Sequence, residues 1–206
     1  MLTFVACGPP LVFLAAAAND PWYSSMQTNW HVATAAEAIA AAQFARFGYD
    51  VSVQYGANQP EYDLMIAAHD GTVLKVSVKG SKTGGWGLTQ SHLRETNYGR
   101  AADEWAASHR PGTAVCLVQF KGVDDDKLPR LYLASPIEIA KQLKAAAGGY
   151  GRTVLKEYKV YTSRSRSAGA TDEIPATWKM TPERVAQIVT SVGAMARPSS
   201  DAHELV

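Results

Sequence analysis

The chain has 206 residues, enough for one full hydrophobic core with a small appendage, and its 47% apolar and 19% charged content is that of an ordinary globular protein. Its 20 basic and 19 acidic side chains leave a formal net charge of +1, which excludes a global basic field, so any nucleic-acid surface must be local. The two cysteines, Cys7 and Cys116, lie far apart and read as reduced thiols, with Cys116 inside an apolar run and therefore core packing.

Leu2 to Ala18 is apolar and ends in an alanine run, superficially like a secretion signal. No Lys or Arg precedes it, Pro9-Pro10 interrupts it, and it is too short and broken to span a bilayer. Residues 1–25 are therefore expected to be an N-terminal extension, as from an upstream start codon, on a cytoplasmic protein with no membrane association. Thr28 to Phe47 predicts an alanine-rich helix ended by Gly48. Glu37 is its only acid, and the positions i+3, i+4, i+7 and i+10 from it are Ala40, Ala41, Phe44 and Phe47, an apolar stripe. A carboxylate in line with a buried stripe is costly unless something pairs with it. Either Glu37 sits at the margin of the stripe and reaches water, or a metal or Lys79 is its partner.

Tyr49 to Tyr55 alternates as a strand, and Gly56 to Pro60 is a loop. Tyr62 to Ala67 is a short apolar strand, Ala68 to Gly71 carries turn chemistry, and Thr72 to Lys79 is β-branched and alternating. On that second strand Leu74, Val76 and Val78 share one face, and Lys75, Ser77 and Lys79 share the other. With Asp63 at the start of the partner strand, the hairpin can bring an acid, a neutral ligand and a cation into one small volume, as metal-assisted attack on a phosphodiester requires. A half-exposed hairpin with a solvated lysine edge fits the same alternation. Gly80 to Gly87, GSKTGGWG, lacks the spacing of a nucleoside-triphosphate loop. Its Lys82 and Trp86 are suited to touching a nucleic-acid backbone and stacking on a base, or to a surface loop with one packed Trp.

Asn97 to His109 predicts a helix stopped by Pro111-Gly112, and Ala114 to Phe120 a strand buried on both faces. Lys121 to Lys127 is a solvated turn whose aspartates lack calcium-loop spacing. Leu128 to Ala134 predicts a strand. Ser135, Pro136 and Glu138 then form the capping signature of a helix that Gly148-Gly149 ends, and Thr153 to Tyr161 alternates as a strand. Ser163 to Ala176 reads as an exposed loop, where Arg164 and Arg166 either hold phosphates or merely solubilise. Thr181-Pro182-Glu183 opens a last amphipathic helix through Val192, followed by a tail over 194–206 that is expected to fray. With no internal repeat or linker, 26–193 is expected to be one domain. The five histidines show no zinc spacing, and neither a serine-hydrolase nor a dinucleotide motif is present.

Glu37 on a first helix, then Asp63, then 13 residues, then Ser77-Val78-Lys79, set among a Gly-Tyr-Asp-Val turn and a YDLMI strand, resembles the PD-(D/E)xK nuclease superfamily over Thr28 to Phe120. The resemblance implies an α/β, restriction-endonuclease-like fold: an αβββαβ core with a central mixed sheet flanked by helices, here with C-terminal strand and helix additions. It implies Mg²⁺, with Mn²⁺ as a substitute, held by Glu37, Asp63 and the carbonyl of Val78, where the ion would polarise the phosphodiester and acidify the attacking water. Glu37, Asp63, Ser77 and Lys79 would be the catalytic set, Lys79 orienting the water and offsetting charge on the phosphorane. The expected function is a Mg²⁺-dependent DNA endonuclease acting as a homodimer, with Lys82, Arg164 and Arg166 on phosphates and Trp86 on a base. Two positions depart from the family pattern. Tyr62 stands where the motif has proline, and Ser77 stands where it has Asp or Glu. A neutral ligand at 77 weakens the metal or limits the site to one ion. The alternative expectation is a catalytically impaired nuclease-like module that binds DNA or a protein partner.

Overall fold

The computed structural model describes residues 28–54 and 61–194. The expected N-terminal extension, the Gly56–Pro60 loop and nearly all of the C-terminal tail lie outside the described residues. The first helix, Asn29–Arg46 (α1), is capped by Thr28, whose Oγ1 accepts the N–H of His31 while His31 Nδ1 accepts the N–H of Thr28. It stops at Gly48, whose φ of 88° turns the chain into the strand Asp50–Val53 (β1). Leu64–Ala67 (β2) and Val73–Ser81 (β3) follow as the expected hairpin. Gly71, at φ 79°, and Asp70, which accepts the N–H of Thr72 at 2.9 Å, make the turn between them.

Beyond β3 the chain forms a short strand, Gly85–Gly87 (β4), then the helix Tyr98–Ala107 (α2) and the strand Thr113–Gln119 (β5). Arg130–Ala134 (β6) leads into the helix Pro136–Ala145 (α3), entered through the expected Ser135–Glu138 capping box. Val154–Lys156 (β7), Tyr158–Val160 (β8), Thr171–Glu173 (β9) and the helix Pro182–Ala194 (α4) complete the described chain.

Five strands form one mixed sheet in the order β1-β2-β3-β5-β6. Only the β3–β5 pairing is parallel. That crossover runs through α2, as a parallel connection requires. Every residue of β5 is buried, as its unbroken apolar run predicts. On one face Ala36, Ala40 and Phe44 of α1 and Val185, Ile188 and Val192 of α4 pack on Leu64, Ile66, Val76 and Cys116. On the other, Ala102 and Trp105 of α2 and Ile139 and Leu143 of α3 pack on Val115, Leu117 and Ala134. The fold is thus mixed α/β, with one five-stranded mixed sheet and four α-helices among the described residues.

The approach of α1 to the sheet depends on Gly80. A Cβ there would stand 2.8 Å from the carbonyl oxygen of Val32 and 3.0 Å from Ala36 Cβ, so any larger residue would lever the helix off the strand. Burial pushes the Cys116 thiol up to about 12, so it behaves as a small inert core group.

Two sequence expectations change. Thr153–Tyr161 is not one strand: β7 pairs with β4 and β8 with β9, in two separate two-stranded sheets. The break leaves Glu157 to bind Arg130 in a two-point pair at 2.6 and 2.9 Å and to accept the Tyr132 hydroxyl at 2.8 Å. Ser163–Ala176 is not wholly an exposed loop. Asp172 is buried and accepts both the Tyr161 hydroxyl and the N–H of Ala147, at 2.7 Å each. A polar sequence hid that anchor because a buried carboxylate with two donors looks, residue by residue, like a solvated one.

Candidate active site

Asp63 lies immediately before β2, one residue short of the paired ladder. Its own N–H donates to the carbonyl of Val76 at 2.9 Å, and its Oδ2 accepts the N–H of Val78 at 2.5 Å. The side chain therefore continues the sheet's hydrogen bonding two residues beyond the point where the β2 backbone stops. A strand residue presents its N–H and C=O toward the same neighbour, so the Val78 carbonyl lies on the edge that Asp63 occupies. Ser77 Oγ donates to the same carboxylate oxygen over a long 3.5 Å.

Glu37 lies one position past Ala36 on α1, beside the buried row Val32, Ala36, Ala40 and Phe44. It is half-buried and sits at the margin of the apolar stripe, facing a cavity of 390 Å³ that Asp63, Val78, Lys79 and Lys82 also line. Burial raises its pKa, the negative charge of Asp63 raises it further, and the Lys79 cation opposes both. The helix thus holds a carboxylate against a second carboxylate in a partly dry wall, the electrostatic situation that a bound cation relieves.

Lys79 is exposed at the end of the row, and its carbonyl accepts the indole N–H of Trp86 at 2.8 Å. Ser77, expected beside it, is only 4% exposed and does not line the cavity. It touches the site through Asp63 alone. Trp86 lines the same cavity, but at 3% exposure and edge-on to Tyr132 it is a core residue that braces β3, not an open face for stacking on a base. Its indole bond to Lys79, together with the bonds of Ser81 Oγ to Thr83 and Gly85 and of Gln119 to Gly84, holds the turn that follows β3. Arg166 lines a different cavity, with Tyr150 and Arg152, that shares no residue with the one holding Glu37 and Asp63. Arg164 is exposed on the same distal segment.

Three groups near the site were not singled out from sequence. His109 Nδ1 bonds the carbonyl of Trp105 at 2.8 Å, so Nδ1 carries the proton and Nε2 the lone pair. Burial holds its pKa below the usual histidine value, and the Lys79 cation lowers it further. Lys121 and Lys156 run along the glycine turn between β3 and β4, their Cδ atoms 3.1 and 2.9 Å from where Cβ atoms on Gly84 and Gly85 would stand. The paired glycines make room for these stems. In the sequence they read only as loop composition.

Two carboxylates and one backbone carbonyl on a cavity open to solvent suit Mg²⁺, which prefers oxygen and keeps several waters. Among the described residues no group of three or more His, Cys, Asp or Glu side chains gathers as a metal site, so the protein ligands are fewer than in a three-carboxylate centre. No family model, curated protein or solved structure matches this chain. Among the described residues, no helix is long and apolar enough to cross a membrane.

Proposed function

We propose that this chain is a Mg²⁺-dependent endonuclease of the PD-(D/E)xK kind, acting on DNA as a homodimer. The observation that carries the reading is the convergence of Glu37, Asp63 and Lys79 on one cavity from a helix, a strand start and a neighbouring strand. The order of a helix, three antiparallel strands, a crossover helix and a parallel strand resembles the restriction-endonuclease-like core. A bound divalent ion would supply charge to polarise a phosphodiester and acidify a water. Glu37 and Asp63, with the Val78 carbonyl, would hold it. Lys79 would orient the attacking water and stabilise negative charge growing on the phosphorus oxygens. Lys82, Lys121 and Lys156, around the glycine turn after β3, would take the flanking phosphates in place of Arg164 and Arg166.

The second reading, a nuclease-like module that binds DNA or a protein partner without cutting, is favoured by Ser77, a neutral residue buried behind Asp63. Cleavage of linear, supercoiled and branched DNA in Mg²⁺ or Mn²⁺ separates the two. Metal-dependent cutting that Lys79→Ala abolishes, with DNA binding retained, supports the enzyme. Binding without cutting on every substrate supports the module.

A further inference from the structure

A second cavity, of 460 Å³, lies where the chain after α3 meets the start of α2, and the nuclease reading makes no use of it. Its walls are Thr96, Tyr98, Tyr150, Arg152, Arg166 and Ser167: two guanidinium groups, two phenol rings, two hydroxyls and no carboxylate. The Arg166 guanidinium lies 5.8 Å from the Tyr150 ring centre, and that of Arg152 lies 5.5 Å from the Tyr161 ring centre. Arg152 is held by the Gly151 carbonyl at 3.0 Å and by Ser167 Oγ at 3.5 Å, whereas Tyr150 is half exposed at 51%.

The backbone around this cavity is unusual. Glu95 and Thr96 both adopt left-handed conformations, at φ 50° and 57°, which cost non-glycine residues energy. On the facing segment Ala147, Gly148, Gly149 and Gly151 are left-handed too. Gly151 is required by its neighbour, since a Cβ there would stand 2.8 Å from Tyr98 Cβ. The segment is tied down by Asp172, which accepts the N–H of Ala147. Strained loops held in place by a buried carboxylate thus build a concave, cationic and aromatic recess.

We propose that this recess is a second binding site, for a phosphorylated nucleoside, with the phosphate between Arg152 and Arg166 and the base against Tyr150. Guanidinium groups match phosphate oxygens in two-point geometry, and an exposed phenol offers a stacking face to any base. The ligand can be a free nucleotide or the phosphorylated end of a strand, and both present the same chemistry. Its position outside the cavity of Glu37 and Asp63 makes it a site for holding, not cutting. The proposal stands or falls independently of the nuclease reading.

The test is a binding titration in EDTA, which keeps divalent ions from the carboxylate site. The probes are a nucleoside monophosphate, a 5′-phosphorylated single-stranded oligonucleotide and its dephosphorylated counterpart. Arg166→Ala and Tyr150→Ala alter exposed side chains and leave the core intact; Arg152→Ala is a third variant, checked for folding by its melt. Each exposed-residue variant is expected to weaken the phosphorylated probes about 10-fold or more. The free nucleotide binding as tightly as the strand would identify a nucleotide site, and a tighter strand would identify an end-binding site. No binding of either phosphorylated probe, equal binding of the dephosphorylated strand, or affinities unmoved by both exposed-residue variants would overturn the proposal.

Discussion

Asp63 and Val78 are joined by a 2.5 Å hydrogen bond from the Val78 N–H to one oxygen of the Asp63 carboxylate. The aspartate is therefore a structural member of the sheet as well as a candidate ligand, and substitutions can separate the two roles. Asp63→Asn keeps an acceptor oxygen for Val78 and removes the charge. Asp63→Ala leaves the N–H without that partner, at a cost of about 1–3 kcal/mol. For a chain of this size each 1 kcal/mol is roughly 2–4 °C in Tm. Thermal melts are expected to rank wild type and Asp63→Asn close together with Asp63→Ala clearly lower, while both variants lose any cleavage.

Glu37 has a folded-state pKa raised above its ordinary 4.5, by burial first and by Asp63 second. The folded protein therefore holds this proton more tightly than the unfolded chain does. The resulting stabilisation is full below pH 4.5 and is lost as pH rises through the raised folded value. Glu37→Gln removes the titration. The variant is expected to melt above wild type at pH 7, with an advantage that shrinks as pH falls toward 4.5. A melting difference that is constant with pH would show that the Glu37 carboxylate is not under strain.

Ser77 is buried behind Asp63, so Ser77→Glu places a third carboxylate in a crowded, partly dry space. Without metal the variant is expected to melt below wild type, because like charges and desolvation both oppose folding. Millimolar Mg²⁺ is expected to raise its Tm more than that of wild type, since binding to the folded state alone stabilises by mass action. A penalty that Mg²⁺ leaves unchanged would place position 77 outside the reach of the ion.

Away from the site, Arg184 is 7% exposed and donates to both oxygens of Glu138 at 2.8 Å and to the Leu133 carbonyl at 3.0 Å. It ties α4 to the capped start of α3 and to the end of β6. Arg184 is buried but Glu138 is about a third exposed, so losing the arginine's bonds costs about 1–3 kcal/mol and Arg184→Ala is expected to lower Tm by roughly 2–12 °C. Burial pushes the Glu138 carboxyl up, but the Ser135 N–H and Arg184 outweigh it and hold the pKa below 4.5. The pair's contribution is therefore present above pH 4.5 and lost as pH falls through the lowered value, and acid melts of wild type and variant are expected to converge.

Where one physical signal dominated, the elements were legible in the sequence. The Thr28 and Ser135 caps, the alternation through β3 and the unbroken apolar run of β5 each gave the right element within a residue or two. The closeness of Glu37 and Asp63 was also foreseeable, since an acid beside an apolar helical stripe and an aspartate at a strand start both need a reason. The depth of each side chain was not. In sequence Trp86 reads as part of a glycine loop and Ser77 as part of a polar row, yet Trp86 packs in the cluster under α2 and α3 and both are buried. The place of Arg166 was hidden for a similar reason: a short Arg-rich loop carries no record of which cavity it lines, and here it lines one apart from that of Glu37 and Asp63.

The central claim is that Glu37 and Asp63 together hold a divalent cation. Calorimetric titration of Mg²⁺ and Mn²⁺ into wild type and Glu37→Gln tests it most directly. Wild type is expected to take up one ion per chain, and Glu37→Gln to lose that binding. A wild-type protein that takes up neither ion, or a Glu37→Gln variant that binds them equally well, would contradict it.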